Sequence, residues 1–332
     1  MNDLLKLLSK SLIPLGYHLR PYKGLNFLKI PTLEAISENG ENIKFARKSL
    51  GSTPSINADQ LNELTIVLRT CLREKRNKNP QQRVSGVDDI QNALHCIWSL
   101  IRSINHATEN CPDTTIRFKI LDDRSDESSI EKVKDLLELC LAETNWKTTK
   151  TAGQGASLHQ QFSDCKSETG MVYCVEDDFL HEENGIARLI HFYQKTAQDL
   201  QSHLVIYPQE HTILHYNHYP SYILTMPDGH WRTMRHATHT FMTHSEVVRK
   251  NWKLFENTKF VGDKKKRQRG SEAKTTNRLF DKIPGFSPLH PCAVHLQYES
   301  LLPPFYDWKK VWEDSALPSD NHKPEKTAKA VK

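Results

Sequence analysis

The chain is short of several things that would have simplified its reading. Across 332 residues there is no Cys-x-x-Cys pair; the seven cysteines (Cys71, Cys96, Cys111, Cys140, Cys165, Cys174, Cys292) stand singly, which excludes a disulfide framework and points to a reducing compartment. No stretch approaches the roughly 18 consecutive apolar residues of a membrane span, and the N-terminus has no secretory signal with a small-residue cleavage site. The expected location is therefore the cytoplasm. A formal net charge of +5 is too small for a dedicated nucleic-acid binder, so no nucleic acid is expected as partner. The one basic run, Lys264 to Arg269, is the only feature that favours a non-enzymatic nucleic-acid-binding module. His-Glu-x-x-His, a glycine-rich phosphate loop and internal repeats are all absent.

What is present fits a soluble α/β protein, with 37% hydrophobic and 26% charged residues. Met1 to Leu19 places Leu4, Leu5, Leu7, Leu8, Leu12 and Ile13 among Lys6 and Lys10, the pattern of an amphipathic basic helix that either docks on the protein or touches a membrane surface. An irregular extension to residue 60 follows, then a domain over 61–315, then a disordered basic tail over 316–332. Within the domain, Leu64–Thr70, Thr115–Leu121, Gly170–Val175 and His203–Tyr207 read as strands. Val84–Ile104, Ser128–Ala142 and Asn184–Ser202 read as helices between them. Alternation of this kind implies βαβ units and a mainly parallel sheet, whose ligands bind beyond the carboxyl ends of the strands. Asn257–Thr276, polar and lysine-rich, reads as a loop.

Two strands run straight into carboxylates. The first gives Asp122, Asp123, Ser125 and Asp126; the second gives Glu176, Asp177 and Asp178. Adjacent carboxylates repel unless a donor or cation separates them, and oxygen ligands of this sort suit Mg²⁺ or Mn²⁺ carrying a phosphate-bearing substrate.

This layout, strand-Asp-Asp-x-Ser-x-Asp and then, one helix and strand later, an acidic triplet, resembles that of GT-A fold glycosyltransferases, above all glycosyltransferase family 2. The likeness covers about Leu64 to Trp312. It implies a Rossmann-like α/β domain and a metal-dependent, inverting transfer of a sugar from a nucleotide-sugar to a hydroxyl of a glycan or lipid-linked acceptor. By position it makes Asp122 or Asp123 the reader of the nucleotide, with Thr70, Ser125, Gln154 and Asp177 nearby, and puts Glu176 and Asp178 at the two ends of the metal motif. Glu176 stands where the family has aspartate, so either Asp177 or Asp178 is the direct ligand. A late histidine, His295 or alternatively His290, would complete the metal site. Glu272, in a small-residue turn, matches the family's catalytic acid, with Asp228 as competitor, and a base is needed to take the acceptor's proton. Trp231, Arg232 and Arg235 would form the sugar and acceptor pocket, and a seven-histidine stretch from His211 to His244 raises a zinc site as a lesser alternative. A nucleotidyltransferase, which also uses paired acids and Mg²⁺, is the rival enzyme class.

Overall fold

The computed structural model describes residues 8, 11–15, 56, 58–73, 84–210, 221 and 223–318. Most of the N-terminal amphipathic segment, the extension to residue 60, three of the clustered histidines (His211, His215, His218) and the tail beyond 318 lie outside the described residues.

Nine strands form one sheet: β1 Glu63–Thr70, β2 Thr115–Asp122, β3 Glu143–Thr148, β4 Met171–Glu176, β6 Val205–Ile206, β7 Ile223–Met226, β8 Gly229–Thr233, β9 Phe241–His244 and β10 Gly285–Pro288. Their order is β3-β2-β1-β4-β9-β6-β10-β8-β7. β1, β2, β3 and β4 pair in parallel; β9 is antiparallel to β4 and β6, and β8 is antiparallel to β10 and β7. Following these pairings across the sheet, only β8 and β9 oppose the common direction. A second sheet pairs β5, Phe179–His181, with β11, Ala293–His295. The described residues thus form the Rossmann-like α/β architecture, mainly parallel and flanked by helices, that the GT-A resemblance implies.

The helices are α1 Asp89–Asn110, α2 Glu127–Leu137, α3 Gln154–Ser167, α4 Gly185–Leu200, α5 Ser245–Lys250, α6 Trp252–Phe255, α7 Lys264–Arg269 and α8 Trp308–Asp314. α1 is capped by Asp88, whose carboxylate accepts the Gln91 N–H at 2.8 Å and so satisfies an orphan donor; its first residue, Asp89, comes five residues later than the sequence pattern placed it. Ile97, Leu100, Ile101 and Ile104 of α1 pack with Ile186, Leu189 and Ile190 of α4 in the main core, which also holds Ile66, Phe118 and Val175 from the sheet. Burial of this apolar surface, at about 25 cal/mol per Å², holds the layers together.

The stretch expected as a loop, Asn257–Thr276, is instead built of short helical turns around α7 and Glu272–Lys274. Asp263 caps α7 by accepting the Lys265 and Lys266 N–H groups, and Thr258, Thr275 and Thr276 are buried, which fixes the segment despite its polarity.

Candidate functional site

Parallel pairing puts the carboxyl ends of β1, β2 and β4 side by side. Thr70 stands level with Asp122, and Arg69 is level with both Leu121 and Glu176. Both acidic clusters therefore share one edge of the sheet.

The three acids of the β4 triplet have separate partners. Glu176 pairs with the Arg69 guanidinium, which is nearly buried. Asp177 turns the other way, its Oδ2 accepting from the Thr70 hydroxyl and the Cys71 N–H, each at 3.0 Å. Asp178 Oδ2 lies 3.2 Å from His295 Nε2. Only Glu176 belongs to β4; Asp177 and Asp178 form the turn into β5, so the three side chains leave the chain in different directions. Glu176 is thus neutralised by arginine, and the expected metal set of Glu176, Asp178 and His295 is not assembled. Among the described residues no three His, Cys, Asp or Glu side chains are arranged to hold an ion. Asp178 and His295 by themselves fit a cation that keeps waters and binds substrate phosphates through one or two protein ligands. The second sheet makes this pair: His295 sits opposite Phe179, stacks on its ring at 4.6 Å, and Leu296 N–H bonds the Asp178 carbonyl at 2.8 Å. His290 is elsewhere, its Nε2 3.3 Å from Glu182.

At the end of β2, Asp122 is fully buried and works inside the protein: its carboxylate accepts the Ser125 N–H at 3.1 Å and the Ser125 hydroxyl. Ser125 in turn accepts the Leu72 N–H at 2.7 Å, locking the ends of β1 and β2 together. Asp123 accepts the Gly153 N–H at 2.9 Å and the Thr149 hydroxyl at 3.1 Å. Gly153 has φ +109, a conformation that side chains strain, and it turns the chain into α3. Beside it lies a cleft of about 390 Å³ lined by Gly153, Gln154, Gly155, Phe260, Lys264 and Arg267. Gln154, expected near the nucleotide, is the first residue of helix α3, and the start of that helix lines the cleft. Gln161 is buried and donates to the carbonyls of Val67 at 2.7 Å and Val175 at 3.0 Å, tying β1 to β4.

Glu272 is brought to the same region. Its Oε1 is 3.5 Å from Nδ1 of His239, while Nε2 of that ring is 3.3 Å from the Thr275 hydroxyl. Burial pushes the His239 imidazole below its ordinary value, and the charges of Glu272, Glu176 and Arg69 also act on it. Asp228, the competing base, sits instead at the tip of the β7–β8 hairpin with its Oδ2 3.1 Å from His191 of α4.

Trp231 does not floor a pocket. It is fully buried and stacks on Phe192 with ring centroids 3.8 Å apart, so its indole belongs to the core. Arg232 is held by Glu210 at 2.9 Å and by Ser221, also at 2.9 Å. The described histidines of the clustered stretch are likewise dispersed: His244 stacks on His203 at 4.2 Å and is pushed by burial to about 3, while His239 faces Glu272. Arg69 and His239 are site residues that the sequence reading missed. Arg69 had a signal, a lone cation within an apolar strand.

No family model matches the chain, and no curated protein matches it. Among solved structures it is similar to S. aureus TarS, at 11% identity and a TM-score of 0.39, over 68% of this chain and 36% of that one. It is also similar to a UDP-glucose pyrophosphorylase complexed with UDP-glucose, at 7% identity and a TM-score of 0.41, over 76% and 96% of the two chains. A UDP-glucose pyrophosphorylase from Acinetobacter baumannii gives 8% identity and a TM-score of 0.43 over 76% and 91%. The chain spans little more than a third of TarS.

Proposed function

We propose that this chain is a glycosyltransferase that moves a sugar from a nucleotide-sugar to an acceptor hydroxyl with inversion, assisted by Mn²⁺ or Mg²⁺. The observation that supports it is the convergence on one sheet edge of the Asp178–His295 pair, the Asp123–Gly153 contact beside the cleft, and Glu272 across from Glu176. Asp178 and His295 would hold the cation; when bound it would neutralise charge on the donor's diphosphate. Thr70 and the Cys71 N–H hold Asp177 in place behind this pair. Lys264 and Arg267 line the cleft with positive charge suited to a phosphate-bearing donor. Glu272, with its side chain 45% exposed, can reach an incoming hydroxyl and accept its proton.

The test is a screen of UDP-, GDP- and dTDP-sugars for Mn²⁺-dependent thermal stabilisation. A ligand at 100 times its Kd adds about 2.7 kcal/mol. The stabilising donor is then assayed for released nucleoside diphosphate in the presence of hydroxyl acceptors. Release of pyrophosphate from a nucleoside triphosphate and a sugar phosphate would instead establish a nucleotidyltransferase.

A further inference from the structure

A second group of reactive side chains lies away from the sheet edge, on the helical layer. Cys111 caps the C-terminal end of α1, its N–H bonding the Ala107 carbonyl at 2.8 Å. Its Sγ is 3.3 Å from Nε2 of His191. The other ring nitrogen, Nδ1, is 3.1 Å from Oδ2 of Asp228. Thiol, imidazole and carboxylate thus stand in series, from three parts of the chain: the end of α1, the middle of α4 and the β7–β8 turn. With Nδ1–H donated to Asp228, Nε2 is left as the acceptor facing the thiol, the order in which an imidazole takes a proton from a nucleophile. The His191 and Asp228 side chains are 43% and 45% exposed, so the ring is reachable from solvent although the cysteine is nearly covered.

We infer that Cys111 is a base-assisted nucleophilic thiol, a modification site for small carbon electrophiles, with His191 as its proton acceptor and Asp228 as the residue that positions the ring. The sulfur lone pair forms the S–C bond, the leaving group departs with the electrons of its own bond to carbon, and the thiol proton passes to His191 Nε2. The thiol is neutral at rest, because burial and then the Asp228 charge push it up to about 11. Proton transfer to His191 therefore has to accompany attack.

Cys140 supplies an internal control. Burial pushes its thiol up to about 11 as well, and it is more exposed than Cys111. Native full-length protein is treated with iodoacetamide at pH 7, and peptide mass spectrometry follows both cysteines. The expected result is that Cys111 is alkylated faster than Cys140, by as much as the roughly 10²-fold that general-base assistance supplies. In His191→Gly that advantage should vanish and be restored by added imidazole, which a merely structural role for His191 would not allow. In Asp228→Asn the advantage should shrink while the Cys140 rate stays unchanged. Alkylation of Cys140 at or above the rate of Cys111 in the unmodified protein overturns the inference, as does an advantage that survives in a folded His191→Gly.

Discussion

Glu272 and His239 face one another, Oε1 to Nδ1, at 3.5 Å. The ring is mostly buried while the Glu272 side chain is 45% exposed, so the histidine meets one end of an acid that stays open to solvent. The charges of Glu272 and Glu176 both favour the protonated form of this ring, against the larger effect of burial.

A base that acts only in the chemical step contributes about 10² to 10⁴ in rate and little to donor binding. Glu272→Gln should lower kcat by that order and leave donor affinity nearly unchanged. Asp228→Asn should leave kcat near normal. Steady-state kinetics on the two variants side by side is the check, and near-normal turnover in Glu272→Gln with a collapse in Asp228→Asn would move the base to Asp228.

Gly153 makes a second prediction. A Cβ there would meet nothing within 4 Å, so any cost of Gly153→Ala comes from φ +109 and not from a clash. Such strain is worth roughly 1 to 3 kcal/mol. The variant should melt several degrees lower by calorimetry and bind donor more weakly, because the N–H that holds Asp123 shifts. An unchanged melting temperature would show that the turn relaxes at no cost.

The third concerns acid. His181 is buried, its Nδ1 3.0 Å from the Phe179 carbonyl and its Nε2 3.0 Å from the Tyr173 hydroxyl, which satisfies the neutral ring: Nδ1–H donates to the carbonyl and Nε2 accepts from the hydroxyl. Burial lowers it to about 3. The unfolded chain therefore takes up a proton near pH 6.5 that the native ring refuses. Stability is complete above that value and falls as pH drops toward 3, by about 2 kcal/mol at pH 5 from this residue. Denaturant titrations at pH 7 and pH 5 should show a larger loss in the unmodified protein than in His181→Gln. An equal loss in both would remove His181 as the cause.

The central strands were legible because β1, β2 and β4 are apolar runs that stop at polar residues, and the carboxylates at their ends could be named from that stop alone. α3 was not legible as a helix, because its buried face includes Ser157 and Gln161, whose hydrogen bonds to Arg69 and to strand carbonyls replace apolar contact. β3 was missed for a related reason: as an edge strand with mostly exposed residues it shows no apolar alternation. Within the site, the positions of Glu176, Asp177 and Asp178 could be read, but not that they diverge. That depends on parallel register bringing Arg69 level with Glu176, a relationship between residues 107 apart. Trp231 shows the same limit. An indole that stacks on a sugar and one that stacks on Phe192 are identical in sequence.

The most direct test of the account is calorimetric titration of the stabilising nucleotide-sugar with Mn²⁺ present, then with the metal chelated, in the unmodified protein and in Asp178→Asn. Binding should be lost on chelation and lost in a folded Asp178→Asn. Equal, chelator-insensitive binding in both proteins would contradict it.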